Sequence, residues 1–260
     1  MNVKELLQTK PITDRCHLLD SIRGLTVINM ILFHAMWDLV YLFDVSCNWY
    51  HGTGAYLWQQ CICWSFILLS GFCAGMSRHL LRRGSMVFGL GALITLITAL
   101  FMPEDLIIFG VLTLIGSCML IMAGIREKAQ KIPAIPGLII HFLLFAFTKH
   151  INSRYLGFFK YSWIKLPDWL YHDYLTAYFG FPFDRFYSTD YFSLLPWIFL
   201  FLTGFFIYQA WGKKILSIRW NGISFLNLIG RHALEIYALH QPVIYGLLWI
   251  IFRIIRSSSC

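Results

Sequence analysis

The chain has 260 residues, of which 58% are hydrophobic and only 13% charged, and the apolar residues fall in long blocks. Blocks of this length exclude a soluble globular protein, and the lack of period-two alternation excludes a membrane barrel, which leaves an all-α polytopic bundle. The net charge of +8 sits largely in the connections and reads as topology and attraction to anionic lipid. No nucleic-acid partner is expected, since nothing resembles a groove-reading module.

Residues 1–17 carry Lys4, Lys10 and Arg15 but no apolar core, so no cleavable signal peptide is expected and the first span acts as an anchor. About seven transmembrane helices are predicted, over 18–43, 55–76, 85–102, 105–125, 136–149, 191–211 and 232–252. No linker, repeat or low-complexity tract divides the chain, which reads as a single domain over 1–260.

The first span, LLDSIRGLTVINMILFHAMWDLVYLF, carries three ionisable side chains on one face. At a helical rise of roughly 1.5 Å per residue, the step from Arg23 to His34 covers about 16 Å and close to three turns, so both point the same way. Asp38, four residues after His34, continues the line and lies within hydrogen-bond reach of it. Ionisable groups inside a membrane are costly and mark function. A carboxylate that fixes one nitrogen of the imidazole leaves the other as base or nucleophile, which suits moving a proton or an acyl group.

Basic residues mark one side of the membrane. Arg78, Arg82 and Arg83 follow the second span, Arg126, Lys128 and Lys131 the fourth, and Lys213, Lys214 and Arg219 the sixth, whereas 44–54 and 103–104 have no Lys or Arg. The positive-inside rule puts the N-terminus in the cytoplasm, against the mild dissent of Arg154, Lys160, Lys165 and Arg185 in the long connection 150–190. That connection is rich in aromatics, among them Tyr155, Phe158, Phe159, Trp163, Trp169, Tyr171 and Tyr174, and reads as an interfacial belt, a binding wall, or both. Within it Pro167-Asp168 opens a predicted short helix, DWLYHDYLTAYF. Cys61-x-Cys63 is no zinc pattern, and no metal site is expected.

Other positions carry two readings each. His240 and Gln241 lie mid-span beside Pro242, where they satisfy freed backbone groups or line a passage. Ser70 and Gly71 either pack helices or let an acyl chain run close to backbone. Asp190 is a helix cap or a sugar contact, and Glu235, four residues after Arg231, reads as its local ion partner.

The segments LDSIRGLTVINMILFH (19–34), FILLSGFCAGMS (66–77), IFGVLTLIGSCMLI (108–121), STDYFSLLPWIFLFLTG (188–204) and GRHALEIYALHQPVIYGLL (230–248) together resemble the heparan-alpha-glucosaminide N-acetyltransferase catalytic family, short bacterial type. That family sits in the transmembrane acyltransferase superfamily, which also holds the acyltransferase-3 family. The resemblance covers nearly the whole chain, although the chain is shorter than lysosomal members and has His34 where they carry an uncharged polar residue. Their catalytic histidine belongs to the first outer loop, where this sequence has His51 in WYHGTGAY, so His34 and His51 both stand as catalytic candidates.

The resemblance implies an integral protein of the cytoplasmic membrane that moves an acetyl group from cytoplasmic acetyl-CoA to an extracytoplasmic amino sugar. Arg23, aided by Arg78, Arg82 and Arg83, then holds CoA phosphates, Ser70 lies along the donor's path, and His34 with Asp38 either deprotonates the acceptor or takes the acyl group. Trp169, Asp190 and His240 are candidate contacts to the acceptor. Partners are acyl-CoA, a carbohydrate and membrane lipid, and a homodimer is compatible with the chain. A polysaccharide O-acyltransferase and a proton-coupled transporter are the alternatives, the latter disfavoured by the lack of inverted repeats.

Overall fold

The computed structural model describes residues 16–158 and 161–258, so Lys4, Lys10, Arg15, Phe159 and Lys160 lie outside it. The helices among the described residues are α1 (His17–Tyr41), α2 (Thr53–Met76), α3 (Leu80–Phe101), α4 (Val111–Gln130), α5 (Ala134–Thr148), α6 (Tyr174–Phe179), α7 (Leu194–Leu216), α8 (Ser224–Arg231) and α9 (Ala233–Ser258). A two-stranded antiparallel ribbon, β1 (Tyr155–Leu156) with β2 (Ile164–Lys165), lies between α5 and α6. All-α architecture and multi-pass membrane character follow from composition made helical, because only helices and closed barrels satisfy their backbone in lipid.

Six of these helices are long and apolar enough to cross a membrane: α1, α2, α3, α5 with its one-turn extension to Ser153, α7 and α9 up to Ile255. The seventh expected span exists as α4, but Arg126, Glu127 and Lys128 crowd its last turns. It also starts later than position 105. Residues 103–105 form a 3₁₀ turn, Phe109 is left-handed at φ 57°, and the intervening backbone is drawn into other bonds. Ile107 N donates to Thr98 Oγ1 at 3.1 Å, Ile108 N to Ser188 Oγ at 3.0 Å, and Phe192 N to Phe109 O at 2.8 Å.

The contacts divide the chain into two compact units, one formed by residues up to Tyr56 with those from Lys213 onward, the other by Leu57–Gly212. In the second unit small residues set the helix crossings. A Cβ on Gly71 of α2 would lie 1.9 Å from Phe201 O of α7, so Gly71 is a packing position where two backbones nearly touch. Buried Ile67, Leu200, Phe201, Phe205 and Phe206 fill the space around that crossing. Arg126 near the end of α4 donates to Ser77 O at 2.5 Å and Gly75 O at 2.7 Å, satisfying carbonyls that the end of α2 leaves open.

The long connection is ordered by its own side chains. Its expected single helix is split: a 3₁₀ turn at Asp168–Leu170 precedes α6, because Asp173 starts a new helix with a reciprocal capping box to Thr176. That backbone hydrogen bond from Thr176 holds the Asp173 carboxyl below its usual range. Tyr171 Oη donates to Ile151 O at 2.6 Å, and Tyr178 Oη to Ser117 Oγ of α4 at 2.6 Å.

Candidate functional site

In the first unit α1 packs against both α8 and α9. The approach to α8 depends on glycine, since a Cβ on Gly24 would sit 2.1 Å from Leu226 O. Ser21 Oγ donates to Asn227 Oδ1 at 2.6 Å across the same contact. At this end Asp20, 6% exposed, gathers two guanidinium groups: Arg23 Nη1 lies 3.0 Å from Oδ1 and Arg231 Nε 3.9 Å from Oδ2. Arg23 also donates to Gly230 O at 3.2 Å. Asp20 is a residue that the sequence reading passed over, although its i, i+3 spacing to Arg23 signals the pair. Arg231 points to Asp20, where a partner in Glu235 was expected, because α8 ends at Arg231 and Glu235 belongs to the next helix.

Farther along α1, His34 meets α9 face to edge: its ring centroid lies 4.7 Å from that of His240, at an interplanar angle of 76°. His34 Nδ1 is 2.9 Å from Met30 O, and His240 Nδ1 is 2.6 Å from Tyr237 O. A carbonyl only accepts, so both Nδ1 atoms carry the proton and both Nε2 atoms present a lone pair. His240 Nε2 is buried and has no hydrogen-bond partner in the structure.

Asp38 is fully buried and accepts from Gln241 Nε2 at 2.6 Å. The tautomer of His34 is therefore set by Met30 O, where the spacing pointed to Asp38. Helical side chains lean toward the N-terminus, which carries the imidazole back over Met30. His240 and Gln241 likewise turn to Tyr237 O and Asp38, not to backbone freed by Pro242. Tyr50, in the connection after α1, closes this end by donating to Phe33 O at 3.1 Å. Burial, with smaller contributions from Tyr41 and Asp38, pushes its phenol well above the ordinary value, so it stays a neutral donor. His51 is exposed, with Nδ1 at 3.3 Å from Tyr41 Oη.

The first unit thus brings together His34, Asp38 and His240, with Arg23 toward the start of α1 and His51 beyond its end. The remaining expected residues belong to the second unit. Arg78, Arg82 and Arg83 are exposed at and after the α2–α3 turn, Ser70 is half-buried in α2, and Trp169 is 73% exposed. Asp190 Oδ2 accepts from Val111 N at 3.3 Å, capping α4 from a distant part of the chain. Asp190→Ala should lower stability by about 0.5–2 kcal/mol, read as a drop in melting temperature that Asp190→Asn largely restores; an unchanged melting temperature would remove the capping role. Among the described residues no group of three His, Cys, Asp or Glu side chains is arranged to hold a metal ion.

These features define a multi-pass helical membrane protein with a histidine pair and a carboxylate inside its helices. The chain belongs to the heparan-alpha-glucosaminide N-acetyltransferase catalytic family, whose model matches residues 15–242, and so to a family of membrane acetyltransferases. No curated protein and no solved structure matches it.

Proposed function

We propose that the chain is an acetyl-CoA-dependent N-acetyltransferase of the cytoplasmic membrane, working as one domain over residues 1–260 with its N-terminus in the cytoplasm, and that it passes acetyl to an extracytoplasmic amino sugar. The observation that carries this reading is the His34–His240 pair, with both Nδ1 protons committed to carbonyls and both Nε2 atoms therefore unprotonated, in a chain of this family.

An imidazole held in one tautomer serves as a general base at neutral pH. His34 Nε2 takes the proton of the acceptor amine as the nitrogen attacks the thioester carbonyl carbon. The C–S bond breaks, and the proton passes to the departing sulfur. Amide and free thiol result, so atoms and charge balance. His240, packed against His34, keeps water and lipid from that ring face and offers a second proton acceptor. Asp38, tied to Gln241, fixes α9 against α1 at the height of the reaction. His51, in the exposed turn beside Tyr41, is assigned to the acceptor, and within the other unit Trp169 and Asp190 are assigned the same role.

The donor is an anion with three phosphate groups and needs clustered cations. Arg78, Arg82 and Arg83, exposed within one short stretch, fit that demand. Arg23, in the other unit and paired with Asp20, is assigned to the donor as well. Ser70 lines the donor's path beside Gly71. Orientation is supported by Arg126, Lys128, Lys213 and Lys214, all at helix ends on the side expected for the cytoplasm.

The test is transfer in sealed vesicles of known orientation, with acetyl-CoA on the cytoplasmic side and glucosamine enclosed on the other. Appearance of N-acetylglucosamine inside supports the reading, and a lack of product with either orientation overturns it. Replacing Arg78, Arg82 and Arg83 together by alanine should raise KM for acetyl-CoA about tenfold, as expected of three exposed ion pairs acting together. An unchanged KM would remove them from the donor site.

A further inference from the structure

Where α4, α5 and α7 meet in the second unit, they leave an open groove of about 160 Å³ that none of the roles above uses. Ile125, Ile132, Leu202 and Phe206 line it, with Lys128 and His141, and the surface it presents is apolar. We infer that this groove is a binding site for one anionic phospholipid, with an acyl chain between the helices and the phosphate at Lys128 and Lys131. The site concerns neither the donor nor the acceptor of the proposed acetyl transfer and stands apart from that reading.

Three features carry it. First, the groove has the dimensions of a hydrocarbon chain. It reaches from Ile132, just before α5, to His141, two turns into that helix. Over the rise of about 10 Å from Ala134 to His141, a volume of this size is one chain wide, far below the about 10–12 Å of a helix. A second copy of the protein could not seat a helix there. The rim stays open, with Ile125 36% and Ile132 40% exposed.

Second, the walls are fixed while α5 lacks other packing. Gln209 Nε2 of α7 donates to Gln130 O at 3.1 Å and Ile132 O at 2.9 Å, holding the turn after α4 against α7. His141 stacks on Phe206 with centroids 4.9 Å apart and 27° between planes, and its Nδ1 donates to Gly137 O at 2.7 Å. A Cβ on Gly137 would lie 2.4 Å from Phe206 Cε1, so α5 and α7 are in contact along the inner wall. Yet Gly137 and Phe145 are the buried residues of α5 among those described. A chain in the groove supplies packing that the protein does not.

Third, positive charge stands at the mouth. Lys128 gives its methylene stem to the apolar lining and, like Lys131, is exposed, so its ammonium group reaches headgroup level. Arg126 is already spent on Ser77 O and Gly75 O. Exposed Glu127 offsets one of the two lysines, and the charge that remains favours an anionic headgroup over a zwitterionic one.

The experiment reads lipid retention by native mass spectrometry, with the full chain released from vesicles of equal phosphatidylglycerol and phosphatidylcholine. Wild type should keep one phosphatidylglycerol several-fold more often than one phosphatidylcholine. Lys128→Gln should lower that preference about fivefold, the effect of one surface lysine on anionic lipid, while Lys165→Gln, in the ribbon, should leave it unchanged. Ile125→Trp, which narrows the rim, should reduce retention of both lipids. All three positions are exposed, so each variant should keep the wild-type circular dichroism. Glycerol phosphate, which has the head but no chain, should not compete. Lack of preference in wild type, equal loss in Lys128→Gln and Lys165→Gln, retention untouched by Ile125→Trp, or displacement by glycerol phosphate would each overturn the site.

Discussion

His34→Ala should lower acetyl transfer by about 10²- to 10⁴-fold, the range contributed by a positioned general base. The variant loses the Nε2 lone pair and the ring that packs on His240, but none of the contacts that bring α1 to α8. Binding of acetyl-CoA, followed as thermal stabilisation of the purified protein, should survive. Full turnover in His34→Ala would end the assignment. A larger loss in His51→Ala than in His34→Ala would transfer the catalytic role to His51, which lies in an exposed turn beside Tyr41.

The second large effect is on stability. In Gly24→Ala the new methyl group would fall 2.1 Å from Leu226 O, with Leu226 C at 2.9 Å, so backbone, not a movable side chain, stands in the way. The α1–α8 contact must open, loosening the buried Ser21–Asn227 bond and the Arg23–Gly230 bond together. Overpacking of this kind destabilises by about 1–3 kcal/mol or more. A melting temperature lowered by several degrees is expected, while an unchanged one would mean that the two helices are not so closely apposed in the folded protein.

How far the sequence revealed the site depends on the range of each interaction. The line of Arg23, His34 and Asp38 is legible because helical periodicity places residues three, four and eleven apart on one face. Its partners are not. His240 and Gln241 lie more than two hundred positions away, and their own neighbourhood, with Pro242 next to them, offers a sufficient local explanation for polar side chains. The hydrogen bond from His34 also escapes a spacing argument, since both Met30 O and Asp38 lie four residues off and only side-chain direction decides between them. The long helices were readable from apolar blocks, whereas α8 was not, because its eight residues form no such block. Nor was the start of α4, because Asp190 and Ser188 reach it from the far side of the long connection. The split before α6 had a visible signal in Asp173-x-x-Thr176, outweighed in the reading by Pro167-Asp168.

The lopsided surroundings of α9 have a practical consequence. Leu239, Val243, Leu247, Ile250, Ile251 and Ile254 point outward, and Ile244 is the one buried hydrophobic residue of that helix among those described. Surrounding acyl chains, not protein, must brace most of its circumference. Harsh micelles that strip this annulus should therefore silence the enzyme well before circular dichroism registers any loss of helix, and adding back phospholipid should restore turnover.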